Sequence, residues 1–161
     1  MADWSPALSS EVKCSIVPLT ASAVTVAFDG DMVQQFAGTG AGVKRLQIKI
    51  IAVEPEESCV LSGGKPGAHD IEGIGIGYTP PLWDTSLVDE ILSVKTTDAK
   101  DMARALARKE GIFAGTSSGG NVHAAIRVAK KLGPTAKVVT LMIDSGLKYV
   151  STDLYRSDSN P

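Results

Sequence analysis

The chain has 161 residues, the length of one domain, and enough sequence to bury a hydrophobic core. Its formal net charge of −2 and its aromatic share of 5% argue against a nucleic-acid partner, because phosphate binding needs a basic face and single strands need stacking side chains. No apolar run reaches the roughly 20 residues of a membrane-spanning helix and the first residues lack the pattern of a signal peptide, so we expect no membrane partner and a cytoplasmic location.

The first part of the chain, residues 1–46, has no sustained hydrophobic period. A strand is predicted there only around Ala23–Phe28. From about Gln47 onward, apolar runs alternate regularly with turn residues such as glycine and proline. Ile48–Val53 is a β-branched run that predicts a strand, which Pro55 should end because proline cannot continue the ladder.

A second strand is predicted at Ile91–Val94, and a helix should follow it over Asp98–Glu110. Thr97 is the expected N-cap of that helix, since its hydroxyl can accept a free N–H of the first turn. Gly111 should close the helix in the left-handed conformation.

Another helix is predicted at Asn121–Leu132, followed by the nearly all-apolar run Val138–Ile143. Such a run is typical of a strand that is covered on both faces. The alternation of strands and helices predicts an α/β fold, with three layers in the order α-β-α and a mainly parallel sheet. We assign this domain to residues 47–156 and a tail to residues 157–161.

The connection Glu54–Tyr78 is polar and rich in glycine. Gly73, Gly75 and Gly77 alternate within it, so the backbone there can adopt positive φ or approach a bound ring closely. On composition alone, a mobile surface loop is the favoured interpretation.

Two further glycine clusters are candidates for a binding role. Gly115–Gly120 lies at a predicted strand-to-helix turn, where its hydroxyls can cap the helix or face a ligand. Gly38–Gly42 is a candidate anion cradle of backbone N–H groups. Its third glycine is misplaced for a dinucleotide fingerprint, so we set NAD aside. Cys14 and Cys59 have no metal-ligand spacing, and no metal site is predicted.

Several segments resemble the cysteine synthase (O-acetylserine sulfhydrylase) family in order and spacing, over about residues 48–156. The segments are IKIIAVEPEES, LSGGKPGAHDIEGIGIGYTPP, DTSLVDEI, ARALARKEGIFAGTSSGGNVHAAIRVAKKL and DSGLKYVSTDLY. The resemblance implies the large domain of the fold type II pyridoxal-phosphate enzymes, a cytoplasmic location and a homodimer. Residues 1–46 would then hold a remnant of the small domain and of the phosphate loop.

The resemblance also implies roles for individual residues. Ser117 matches the serine whose hydroxyl binds the pyridine nitrogen of pyridoxal phosphate. Lys13, in the sequence VKCSI, is the candidate for the Schiff-base lysine. Two glycine-rich segments complete the expected site. One is a substrate-side loop of Gly73, Ile74 and Gly75, and the other is a phosphate cup of Gly38, Thr39, Gly40, Ala41 and Gly42.

The family pattern is incomplete on the N-terminal side. The cup departs from the family's G-T-G-G-T at Ala41 and Gly42, and no T-S-G-N-T loop for the substrate carboxylate is recognisable. The expected function is cysteine synthesis from O-acetylserine and sulfide, in a member shortened on its N-terminal side that turns over little by itself. Two alternatives stay open: a non-catalytic remnant that acts by binding a partner, and a related β-synthase or deaminase-type lyase.

Overall fold

The computed structural model describes residues 24–28, 49–81 and 83–156. Its sheet has four strands in the order β3-β2-β1-β4. The strands are β1 (Val24–Phe28), β2 (Lys49–Pro55), β3 (Glu90–Val94) and β4 (Lys137–Thr140).

The sheet is mixed in its pairing. β2 and β3 are parallel, with Val53 opposite Leu92. β1 is antiparallel to both of its neighbours, with Val24 opposite Ala52 and Thr25 opposite Thr140. Three of the four described strands therefore run in the same direction, and β1 runs against them. The predicted α/β class and the predicted strand near Ala23–Phe28 are confirmed.

The core lies between β2 and the helix that covers it, α2 (Thr116–Leu132). Ile51 and Val53 of β2 are 1% exposed, as their branched apolar side chains favour. Ile51 packs against Val128 of α2, while Val53 shares a cluster with Ala124. Burial of these side chains fixes α2 on the sheet.

The helix α1 (Thr96–Ala105) continues through a single π-helical turn, Leu106–Glu110, and ends at Gly111. Gly111 has φ of 68°, so the predicted left-handed closure is confirmed. The predicted N-cap is wrong, because the helix begins one residue before Thr97. The backbone N–H of Thr96 donates to Oε1 of Glu57 at 2.9 Å, so a carboxylate from a distant turn does the capping.

The helix α2 begins at Thr116, five residues before the predicted start at Asn121. Gly115–Gly120 is therefore mostly helical rather than a turn, and its glycines serve packing. A Cβ at Gly119 would collide with the backbone oxygen of Ala99 in α1, whereas one at Gly120 would sit 3.7 Å from the Cβ of Ala99. Glycine at 119 lets the two helices approach closely.

The strand β4 is shorter and more exposed than predicted. It ends at Thr140 and lies at an edge of the described sheet. Met142 and Ile143 are 42% and 53% exposed, so the prediction of a strand covered on both faces over Val138–Ile143 is wrong. The chain leaves the sheet at Leu141, whose carbonyl accepts a hydrogen bond from Nδ2 of Asn121 at 2.9 Å.

Candidate functional site

The first turn of α2 is anchored by Asp144, which follows β4. Its carboxylate accepts the backbone N–H of Ser117 at 3.2 Å and that of Ser118 at 2.9 Å. It also accepts the hydroxyl of Ser118 at 2.6 Å and that of Tyr149 at 2.7 Å. The two backbone N–H groups are orphan donors of a helix N-terminus, so Asp144 acts as a cap supplied from a remote segment.

Electrostatics support the same anchor. Burial opposes ionisation of Asp144, but the hydrogen bonds from Ser118, Tyr149 and Ser117 outweigh it and hold its pKa below the ordinary value. Burial, together with the neighbouring carboxylate, raises the pKa of Tyr149 well above its ordinary value. At neutral pH, Asp144 is therefore charged and Tyr149 is a protonated donor to it.

Ser117 lies at this anchored N-terminus and is 3% exposed. Its backbone N–H is taken by Asp144. Within residues 24–28, 49–81 and 83–156, its hydroxyl makes no hydrogen bond. A serine hydroxyl can both donate to and accept from a ligand, and this one lies at the start of α2.

The glycine-rich segment has the backbone that its sequence predicts. Gly73, Gly75 and Gly77 have φ of 83°, 64° and 83°, a region that other residues adopt at a cost. Residues 73–77, which we call the glycine loop, separate two clefts. The carbonyl of Gly75 accepts the hydroxyl of Ser58 at 3.3 Å and lies 2.9 Å from Nε2 of His69.

The residue before the glycine loop is hydrogen-bonded to the first residue of α2. The backbone N–H of Glu72 donates to Oγ1 of Thr116 at 3.2 Å, which joins the residues next to Gly73 and Ser117. The Glu72 carboxylate also forms an ion pair with Lys148. Two motifs that lie far apart in the sequence thus converge at the carboxyl ends of the strands, where ligands of such sheets bind.

The segment before the glycine loop is tied to the rest of the domain by two charged side chains. Lys100 of α1 donates to Asp70 and to Asp153, both at 2.8 Å. Glu54, 1% exposed at the end of β2, accepts the N–H of Leu61 at 2.9 Å and the hydroxyl of Ser62. These bonds position the connection that leads into the loop.

Sequence reasoning assigned no role to Asp144, Tyr149 or His69. The one available signal was an acidic residue directly after an apolar strand, within the segment DSGLKYVSTDLY. Nothing local predicts that this carboxylate reaches a helix twenty-six residues earlier in the chain.

The remaining predicted site residues, Lys13 and Gly38–Gly42, lie outside the described residues. In the part of the chain that the structure does describe, no group of three or more His, Cys, Asp and Glu side chains is arranged to hold a metal ion. No helix in that part is long and apolar enough to cross a membrane.

Comparison with known proteins gives a consistent result. The family described as "Pyridoxal-phosphate dependent enzyme" matches residues 32–144. A cysteine synthase of Staphylococcus aureus is 41% identical over 143 residues, which cover 81% of this chain and 46% of that protein. A probable cysteine synthase of Bacillus subtilis is 46% identical over 120 residues, 73% of this chain and 39% of that protein. The chain thus spans about half the length of the curated relatives it matches.

Solved structures agree with the sequence relatives. The cysteine synthase of Entamoeba histolytica superposes with a TM-score of 0.66 and 44% identity, over 70% of this chain and 34% of that one. An O-acetylserine dependent cystathionine β-synthase of Helicobacter pylori superposes with a TM-score of 0.61 and 37% identity, over 66% of this chain and 34% of that one.

Proposed function

Because this chain belongs to the family of pyridoxal-phosphate dependent enzymes, we propose that it serves cysteine synthesis from O-acetylserine and sulfide by β-replacement. The curated relatives named above are cysteine synthases, which favours this reaction over a related β-synthase or lyase. The chain supplies the part of the site formed by Ser117 and the glycine loop.

The observation that carries the proposal is the position of Ser117 in the anchored first turn of α2, which the Glu72–Thr116 bond joins to the residue before the glycine loop. A hydroxyl at the end of an anchored helix is well placed to bond a pyridine nitrogen, and Asp144 holds it there through the backbone. The group fits the residues present, since three glycines of the loop leave its backbone accessible and the Glu72–Thr116 bond joins the residue before the loop to the start of α2.

When bound, pyridoxal phosphate withdraws electrons from the Cα of the amino acid. A neutral serine hydroxyl leaves the ring nitrogen unprotonated, which gives a milder electron sink than a carboxylate partner would and suits elimination at Cβ. Gly73, Ile74 and Gly75 contact the substrate, Gly38–Gly42 hold the phosphate, and Lys13 is the base that moves the α-proton. All of these roles are part of the proposal.

The proposal extends to the setting of the reaction. Residues 47–156 act as the catalytic α/β domain, the substrate is a small amino acid, and the working form is a cytoplasmic homodimer. Size-exclusion chromatography with light scattering would measure the oligomeric state directly.

The deciding experiment is a visible absorption titration with pyridoxal phosphate. Wild-type chain should develop the visible absorption band of a lysine-bound cofactor, and Ser117→Ala should bind the cofactor roughly tenfold more weakly because one ligand hydrogen bond is lost. Ser86→Ala is the matched control, since Ser86 lies on an exposed turn and its N–H and hydroxyl donate to Asp84 there.

Circular dichroism must show that all three proteins are folded. A folded wild-type chain without the band would refute the proposal and favour the non-catalytic remnant. Equal binding by wild type and Ser117→Ala would refute the role of Ser117. Cysteine formation from O-acetylserine and sulfide then tests the reaction, and we expect slow turnover from this chain by itself.

A further inference from the structure

The imidazole of His69 bridges two backbone groups of the glycine-rich segment. The backbone N–H of Ile71 donates to Nδ1 at 3.2 Å. On the other side of the ring, Nε2 lies 2.9 Å from the carbonyl oxygen of Gly75. One side chain therefore closes a ring of contacts around the start of the glycine loop.

These two contacts determine the protonation of the ring. A backbone N–H can only donate, so Nδ1 must be the acceptor and cannot carry a proton. A carbonyl can only accept, so Nε2 must carry the proton and donate it to Gly75. Both bonds exist together only in the neutral Nε2–H tautomer.

The ring also packs directly onto Gly75. A Cβ built on Gly75 would lie 2.6 Å from Nε2 of His69 and 2.5 Å from Cγ of Pro55, the last residue of β2. His69 and Pro55 thus press on the same backbone position, at φ of 64°. The side of Gly75 where a Cβ would point is therefore filled by the ring and by the end of the sheet.

We propose that His69 is a positioning residue, whose Nε2–H tautomer holds the glycine loop at the spacing from Ser117 that an amino-acid substrate requires. The substrate part of this proposal rests on the proposed function, because the spacing matters only if the loop contacts substrate. Ser58 is the second donor to Gly75, at 3.3 Å, and is the weaker hold by its length.

Two conservative variants separate the two bonds. In His69→Gln, the side-chain amide nitrogen can occupy the position of Nε2 and keep the donor to Gly75. In His69→Asn, the side-chain oxygen can still accept the N–H two residues on, as Asn does in turns, but the side chain is too short for Gly75. His123→Gln, on α2, is the control for losing a histidine elsewhere.

The first measurement needs no cofactor. Nitrogen-15 NMR of the ring should show the Nε2–H tautomer for His69, which the His69→Asn spectrum identifies by loss of its signals. Amide hydrogen exchange within residues 73–77 should rise roughly fivefold in the Asn variant, as loss of one hydrogen bond implies. It should stay near wild type in the Gln variant and in the His123→Gln control.

The second measurement is binding of O-acetylserine to the cofactor-loaded chain, followed by visible absorption. The dissociation constant for O-acetylserine should rise roughly fivefold in the Asn variant and recover in the Gln variant. The dissociation constant for pyridoxal phosphate should not change in either. A merely structural role for His69 would weaken both ligands together.

An Nδ1–H tautomer, or equal exchange in wild type and the Asn variant, would overturn the proposal. So would equal O-acetylserine binding by the Asn and Gln variants. A wild-type chain that binds no cofactor would refute the proposed function and the substrate role of His69. The hydrogen-exchange measurement would still test whether His69 holds the glycine loop.

Discussion

The two sides of the candidate site are built in opposite ways. The start of α2 is buried, with Ser118 fully enclosed and the carboxylate of Asp144 accepting four hydrogen bonds. The glycine loop is only partly buried, since Ile74 is 6% exposed and packs in the core whereas Ile76 is 53% exposed. The proposed cofactor side is thus set by a buried, hydrogen-bonded carboxylate, and the proposed substrate side by a half-exposed loop.

Removal of the anchor should have the largest effect. Asp144→Ala leaves the backbone N–H groups of Ser117 and Ser118 and the hydroxyl of Tyr149 without their carboxylate acceptor, and we expect a loss on the order of 4 kcal/mol in the free energy of unfolding. Asp84→Ala is the matched control, because Asp84 caps an exposed 3-10 turn in the same way. Urea unfolding measures both. Similar losses in the two variants would contradict the comparison.

In the glycine loop, an alanine substitution should cost much more stability at Gly75 than at Gly73. Gly75→Ala combines positive φ with a collision against Pro55 and His69, so it should cost about 3 kcal/mol. Gly73→Ala has the same sign of φ with open space around it and should cost about 1 kcal/mol. Thermal and urea unfolding of the pair would test this, and equal costs would show that packing at Gly75 is unimportant.

Two neighbouring glycines in the contact between α1 and α2 should respond to alanine with opposite changes in stability. Gly119→Ala should destabilise by about 2 kcal/mol, because the new methyl group meets the backbone of Ala99 and α1 must move away. Gly120→Ala should stabilise by up to about 1 kcal/mol, since alanine favours a helix and its methyl group meets Ala99 at an ordinary distance. Two changes of the same sign would mean that the helices are less closely packed.

Lowering the pH should change the free energy of unfolding less than any of the substitutions above, by protonating Asp144. The folded pKa of Asp144 lies below its ordinary value because its hydrogen bonds outweigh burial. Its contribution is therefore complete above about pH 4 and is lost as the pH falls through the lower folded pKa. The free energy of unfolding, measured from about pH 6 to about pH 3, should fall more steeply in wild type than in Asp144→Asn. Parallel curves would show that Asp144 is not ionised in the fold.

The sequence predicted the features that depend on neighbouring residues in the chain. The left-handed end of α1 at Gly111 and the positive φ of Gly75 follow from what glycine permits, and β2 and β3 lie within two residues of their predicted bounds. The convergence of the glycine loop with Ser117 came from the resemblance to a family, and the structure shows a bond between their neighbours Glu72 and Thr116.

Remote contacts decided the rest. α1 begins at Thr96 because of Glu57, and α2 begins at Thr116 because Asp144 arrives from beyond β4. Nothing near either helix start shows these partners in the sequence. The roles of Ser117, Lys13 and Gly38–Gly42 stay predictions until a bound cofactor tests them.

The placement of β1 has a consequence for how the chain is made. β1 lies between β2 and β4, and its residue Thr25 pairs with Thr140. On the ribosome, β1 is synthesised long before β4. The edge of β1 that pairs with β4 therefore has no partner strand until most of the chain has been synthesised. Pairing across such a separation is slow, and an open strand edge invites association with other nascent chains. We therefore expect the yield of folded protein in cells to depend on chaperones that bind nascent chains, more than the final stability would suggest.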